Sequence, residues 1–211
     1  MSRLRTEDAA LVVIDVQNDF CPGGALAVPN GDKVIPVINR LIHRFPLVVA
    51  TKDWHPENHI SFASRQQMEP GSTVEAHGET TVVWPDHCIQ ATDGAEFHPD
   101  LDITGVNLIL HKGTKLDLDS YSAFFENDHK TPTGLEFYLS GHGFRRIFVV
   151  GLAEDVCVYF TARDARKIGY EVSVVGDATR GVDMPGGNLE SARTDMKDLG
   201  VGYVESADFV D

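Results

Sequence analysis

The chain reads as an α/β protein, an open six-stranded parallel sheet with helices on both faces. Three observations predict this. The β-rich segments are continuous apolar runs, as strands buried on both faces require, and not alternating ones. Segments of helical periodicity fall between them. Most of the runs also stop at a charged residue or a glycine, where strands of such sheets give way to loops.

The strands in order are Leu11-Val12-Val13-Ile14, then Leu47-Val48-Val49-Ala50-Thr51, then Asn107-Leu108-Ile109-Leu110-His111. They continue with Ile147-Phe148-Val149-Val150, Glu171-Val172-Ser173-Val174-Val175 and Gly202-Tyr203-Val204. Helices are predicted over 32–44, where Val34, Ile35, Ile38, Leu41 and Ile42 share a side, and over 135–142. Two more cover 156–168 and 189–199, each closed by a glycine, Gly169 and Gly200. No repeat, low-complexity segment or linker interrupts the pattern, so one domain over 1–211 is expected.

The long connection from Asp53 to Val106 breaks the rhythm. It carries few signals of regular structure yet holds His55, His59, His77, His87, His98, Trp54, Trp84 and Cys88. Irregular connections of that length in a compact domain are usually functional.

Composition narrows the partners. Hydrophobic residues make up 42% and charged residues 24%, the range of soluble globular proteins, and the net charge is −14 with no basic block. Nucleic acid and anionic membrane are therefore not expected partners. The start, Met1-Ser2-Arg3-Leu4-Arg5, has no apolar run suited to export, and no segment is long enough to span a bilayer. Three cysteines cannot close a disulfide framework, so free thiols in the cytoplasm are expected. A monomer and a homo-oligomer are equally compatible with these features.

Ligands of doubly wound sheets bind beyond the carboxyl ends of the strands. The residues there are Asp15, Asp53, Lys112 and the turn Gly151-Leu152-Ala153-Glu154-Asp155-Val156-Cys157. A thiol at a helix start, near backbone N–H groups and the positive dipole end, is expected to favour thiolate. N–H groups of Cys157 and of the Leu152-Ala153 turn could hold an oxyanion. Taken alone, Cys157 is more readily a small core residue than a nucleophile; Cys21 and Cys88 follow no strand and are read as packing. Asp15 ends a buried strand and needs a compensating charge, which Lys112 can supply. That pair is either a structural ion pair or a base and a cation flanking the thiol.

Asp53-Trp54-His55-Pro56 reads as half of a metal site. His55 precedes proline and stays extended, so Asp53 and His55 point the same way. His59, or His87 from Trp84-Pro85-Asp86-His87-Cys88, could complete an open set suited to Zn²⁺, Fe²⁺ or Mn²⁺. His43, His98, His111, His129 and His142 are read as ordinary surface or hydrogen-bonded residues.

With these residues assembled, the chain resembles the nicotinamidases of the isochorismatase-like cysteine hydrolase family. The matching stretches are Asp15-Val16-Gln17-Asn18-Asp19-Phe20, Lys52-Asp53-Trp54-His55-Pro56 and Trp84-Pro85-Asp86-His87-Cys88. They continue with His111-Lys112-Gly113, Asp119-Ser120-Tyr121-Ser122-Ala123-Phe124 and Gly151 to Val158, in the family's order. The resemblance implies a Rossmann-like strand order, a Cys157-Asp15-Lys112 triad, and one divalent metal on Asp53, His55 and His87 with His59 as fourth ligand or neighbour. It further implies that Phe20 and Trp84 sandwich a pyridine ring, with Tyr121 nearby. A cis Leu152–Ala153 peptide would aim the Ala153 N–H at an oxyanion. The implied reaction is hydrolysis of nicotinamide to nicotinic acid and ammonia through a thioester, within NAD salvage. Pyrazinamide is a further substrate of such enzymes. Glu154 departs from the family's frequent threonine; a side chain pointing into the mouth of the site would shift substrate preference. The competing readings are an amidase for a carbamoyl or ureido compound and a non-catalytic metal- or ligand-binding protein.

Overall fold

The computed structural model describes residues 4–209, so Met1–Arg3 of the amino-terminal stretch read above lie outside the described residues. Six parallel strands form the main sheet: β1 (Ala10–Ile14), β2 (Leu47–Asp53), β5 (Leu108–Lys112), β6 (Arg146–Leu152), β7 (Glu171–Arg180) and β8 (Gly202–Val204). Their spatial order is β5-β2-β1-β6-β7-β8. Chain order reverses between β1 and β6, and a doubly wound sheet opens its ligand crevice at such a point.

Burial follows from the pleat. In β1, Leu11 and Val13 face a core completed by Ile35, Ile38, Leu41 and Ile42 of α1 (Ile35–Ile42). Ala10, Val12 and Ile14 face the other core, built on Leu135 and Leu139 of α3 (Leu135–Gly141) and on Ala162 and Ala165 of α4 (Tyr159–Lys167). α5 (Asn188–Asp198) adds Met196 to that side. Each fully buried Leu, Ile or Val contributes roughly 1.5–3 kcal/mol. The edge strand departs from the expected double burial: in β5 exposure alternates, and Ile109 is 43% exposed.

Two predicted helices split at their starts. Over 32–44, a 3₁₀ turn at Gly31–Val34 precedes α1, because Pro36 has no N–H and fits only the first α-helical turn. Over 156–168, a π-turn at Glu154–Val158 precedes α4 and carries the thiol. The long connection also holds more regular structure than expected. It contains α2 (Ala63–Gln66) and an antiparallel hairpin of β3 (Thr73–Ala76) and β4 (Glu79–Val82). The hairpin turns at His77-Gly78, both at positive φ, as tight two-residue hairpin turns require. Its strands are four residues long and mostly solvated, so they leave no apolar run in the sequence. Among the described residues, no helix is long and apolar enough to cross a membrane.

Candidate active site

Strand ends bring the first group of residues together. Asp15 follows β1 in the left-handed region, φ 48°, fully buried. Its Oδ1 accepts a hydrogen bond from Thr51 Oγ1 at 2.6 Å, and its own N–H donates to the same hydroxyl at 3.2 Å. Lys112 ends β5, 1% exposed, with Nζ 2.9 Å from Asp15 Oδ2. The same ammonium bonds Asp53 Oδ1, donates to the Ser120 carbonyl at 2.9 Å, and lies 3.5 Å from Cys157 Sγ. Burial alone would lower the pKa of Lys112, but Asp15, Asp53 and Cys157 outweigh it and hold the amine well above its ordinary value.

Cys157 sits in the π-turn, with its Sγ within 4.8 Å of carboxylate oxygens of Asp15 and Asp53. The expected thiolate is corrected here. Burial, with Asp15 and Asp53 beside it, pushes the Cys157 pKa well up despite the pull of Lys112. The thiol is therefore held protonated, with the Asp15 carboxylate nearby. Gly151, ahead of this turn, lets β6 approach β1 closely: at φ 109°, an added Cβ would lie 2.1 Å from the Ile14 carbonyl oxygen. The Leu152–Ala153 peptide is cis.

The long connection supplies the second group. His55 pairs with the 88–90 segment, its N–H donating to Cys88 O and its carbonyl accepting from Gln90 N–H. That pairing draws His87 beside His55. Trp84 is tied likewise to the 61–63 segment, through Trp84 N–H to Ser61 O at 2.7 Å and Ala63 N–H to Trp84 O at 2.8 Å. Ligand atoms of Asp53, His55 and His87 lie within 4.8 Å of one another, and so do those of His55, His59 and Asp119. The two triangles share His55, and His59 falls in the second.

These residues fit a divalent transition metal. Each histidine uses Nδ1 on a neighbour: His55 on Gly113 O at 2.9 Å, His59 on Ser61 Oγ at 2.8 Å, His87 on Pro85 O at 2.7 Å. For His55 and His87 the partner is a carbonyl, so Nδ1 carries the proton and Nε2 is left as the donor atom for an ion. His59 Nδ1 instead meets a hydroxyl and accepts from Ser61 N–H at 3.4 Å, which sets no such tautomer. Burial lowers the pKa of all three, which keeps the imidazoles neutral. His59 Nε2 is fully buried with no hydrogen-bond partner, an unmet requirement that an ion or a bound water answers.

A pocket joins the two groups. Phe20, Leu26, Val28, Trp84, Tyr121, Val156 and Val182 supply its apolar and aromatic lining; Asp53, His55, His87, Asp119, Ala153 and Cys157 supply its reactive edge. Trp84 Nε1 donates to Tyr121 Oη at 3.2 Å, fixing both rings. Asp15 and Lys112 lie behind Cys157, outside the lining.

Sequence reasoning missed several of these positions. Asp119 lines the pocket, and its carboxylate is 4.0 Å from His59 Nε2. Thr51 sits on β2, the strand paired with β1, which was a usable signal. Gln17 clamps the end of β2, donating to Asp53 O at 2.7 Å and accepting from Asp53 N–H at 2.8 Å. Glu154 does not point into the mouth. Its carboxylate faces away from the pocket, to Arg193 and Tyr203. His43, His98, His111, His129 and His142 take no place in the lining; Cys21 and Cys88 are buried free thiols.

Fold and site together define a hydrolase-like α/β domain, and comparison with known proteins places it. The chain belongs to the isochorismatase family, matching the isochorismatase domain over residues 9–204. A nicotinamidase of Acinetobacter baylyi is 46% identical over 210 residues, covering 98% of each chain. A solved Acinetobacter baumanii nicotinamidase/pyrazinamidase superposes with TM-score 0.94 at 49% identity, over 97% of this chain and 99% of that one. An L. infantum protein solved in complex with nicotinate gives 0.87 at 37% identity, over 99% and 98%. A Pyrococcus horikoshii pyrazinamidase solved in complex with zinc gives 0.77 at 40%, over 94% and 99%.

Proposed function

We propose that this chain is a metal-dependent nicotinamidase that converts nicotinamide to nicotinic acid and ammonia through a thioester on Cys157. The observation that carries the reading is the juxtaposition of Cys157, on one wall of a pocket, with Asp15 and Lys112 behind it. The adjoining wall offers Asp53, His55 and His87 between aromatic side chains. The names and ligands of the relatives described above support it.

Asp15 accepts the Cys157 proton as Sγ attacks the carboxamide carbon, so deprotonation and attack are coupled and no free thiolate accumulates. Lys112 pairs with Asp15 at 2.9 Å and, 3.5 Å from Cys157 Sγ, shields the charge that appears on sulfur. The N–H groups of Ala153 and Cys157 donate to the oxygen of the tetrahedral adduct, each worth about 2.7–4 kcal/mol where such donors are well placed. Asp15 then returns the proton to nitrogen as the C–N bond breaks, and ammonia leaves. In the second half, Asp15 takes a proton from water, the hydroxide adds to the thioester carbon, and the C–S bond breaks. The proton returns to sulfur, so thiol, carboxylate and ammonium end where they began.

A divalent ion on Asp53, His55 and His87, Zn²⁺, Fe²⁺ or Mn²⁺, would supply an electrophilic anchor for the pyridine nitrogen. Phe20 and Trp84 clasp the ring, and Tyr121 holds the Trp84 indole by its hydrogen bond. Three unpaired thiols suit a reducing cytoplasm, and the product suits NAD salvage. The deciding experiment is ammonia release from nicotinamide before chelation, after chelation and after metal is restored. Release that survives complete chelation would remove the metal from the reading, and no release at all from the metal-restored protein would remove nicotinamide.

A further inference from the structure

Glu154 lies one residue after Ala153 and three before Cys157, at the start of the π-turn. Its side chain is 1% exposed yet takes no part in the pocket. A buried carboxylate is costly unless fully partnered, and this one is partnered from three separate elements. Arg193 of α5 donates through Nε at 2.7 Å and Nη2 at 2.8 Å, one nitrogen to each carboxylate oxygen. Tyr203 of β8 approaches Oε1 at 3.3 Å, and Thr179 of β7 donates to Oε2 at 3.2 Å. The two-pronged guanidinium contact is the geometry that adds orientation as well as energy.

The backbone around it makes this contact consequential. The Ala153 carbonyl accepts from both Val156 and Val158 N–H at 3.1 Å, which closes the turn around Cys157. Next to Glu154, Asp155 takes the N–H groups of Val182 and Asp183 at 2.8 Å, tying the turn to the loop that follows β7. The turn is thus gripped at two consecutive residues, and α5 takes part in both grips, through Arg193 on Glu154 and through Asn188 on Asp155 at 3.1 Å. Releasing one grip lets Ala153 and Cys157 move together relative to the pocket.

We propose that Glu154, clamped by Arg193, is a positioning residue that sets the Ala153–Cys157 turn in its reactive geometry without touching substrate. The pair acts on the chemical step and not on capture, since the aromatic walls and the metal-site residues lie on other segments. The inference rests on the hydrolytic reading of the site, so its test includes a readout independent of nicotinamide.

The test compares wild type, Glu154→Gln and Arg193→Lys as metal-loaded proteins, measuring kcat and KM for nicotinamide, the fraction folded, and the rate of iodoacetamide alkylation at Cys157. Glu154→Gln breaks the two-pronged contact, and kcat per folded molecule is expected to fall about tenfold or more, with KM nearly unchanged. The alkylation rate should shift in parallel. Arg193→Lys keeps the charge but loses the fork and should fall a few-fold in kcat. Since Arg193 is half-exposed, this variant decides the matter if Glu154→Gln does not fold. Wild-type kcat and alkylation in the folded variants, or a loss confined to KM or to the folded fraction, overturns the proposal. If the wild type releases no ammonia from nicotinamide, that reading fails by itself, and the alkylation comparison still judges Glu154.

Discussion

The two sides of the pocket are built by opposite means. Asp15, Lys112 and Cys157 stand at the carboxyl ends of parallel strands or in the turn that follows one, so sheet register sets their spacing. His55, His59, Trp84 and His87 come from an excursion between β2 and β5, and local pairings of backbone and side chain set theirs. Asp53 is the joint: it ends β2, bonds Lys112 on one side, and lies 3.8 Å from His55 Nε2 on the other. The difference teaches where each function can be perturbed alone. On the proposed reading, chemistry rests with the groups locked in the core and capture with the excursion.

The largest expected effect falls on the strand-end side. Cys157→Ala should abolish ammonia release while metal content and ligand binding persist, and mass spectrometry of a quenched wild-type reaction should find the acyl group on Cys157. An adduct on Cys21 or Cys88 would move the nucleophile elsewhere. Asp15→Asn should be nearly as damaging, because an amide cannot carry the proton; comparable turnover by that variant would require another base.

Lys112→Ala tests whether the ammonium is structural as well as catalytic. It leaves the Asp15 and Asp53 carboxylates buried without their shared cation, a defect that typically costs about 3–5 kcal/mol. Urea unfolding should therefore shift along with the loss of rate. A variant of unchanged stability would mean that the two carboxylates do not depend on Lys112.

The sequence exposed these two sides unequally, for physical reasons. Parallel strands here leave apolar runs, even the half-exposed edge strand β5, so the strand ends, and with them Asp15, Asp53 and Lys112, could be located from the sequence. The hairpin of β3 and β4 leaves no such run. The protonation of Cys157 was misread because a helix start argues for thiolate, while burial and two neighbouring carboxylates, visible only in three dimensions, argue more strongly the other way. Asp119 follows no strand and carries no spacing signal. Glu154 was legible as an oddity but not in its direction, since that depends on Arg193 of α5 and Tyr203 of β8, both distant in sequence.

On the excursion side the effects should be smaller and confined to capture. His55→Ala and His87→Ala are expected to lose metal, measured by elemental analysis, and to lower kcat/KM while Cys157 remains alkylatable. Benzamide, which lacks the ring nitrogen, should be a poor substrate for the intact protein, because a site built for a polar partner discriminates more strongly than lost apolar contact does. Equal kcat/KM for benzamide and nicotinamide would reduce the ion to a pin for the long connection.

The smallest effect concerns His59 and separates the two overlapping triangles. His59 Nε2 is buried without a partner and faces Asp119, while the set that includes Asp53 is complete with His55 and His87. If His59 steadies that set from beside it, His59→Ala should keep one ion per chain but bind it about 10–100-fold more weakly, the usual cost of removing a neighbour of the ligands. Titration of the chelated protein with Zn²⁺ measures both stoichiometry and affinity. Loss of the ion as complete as in His55→Ala would make His59 a ligand in its own right. Unchanged affinity would leave His59 a packed residue whose Nε2 meets only water.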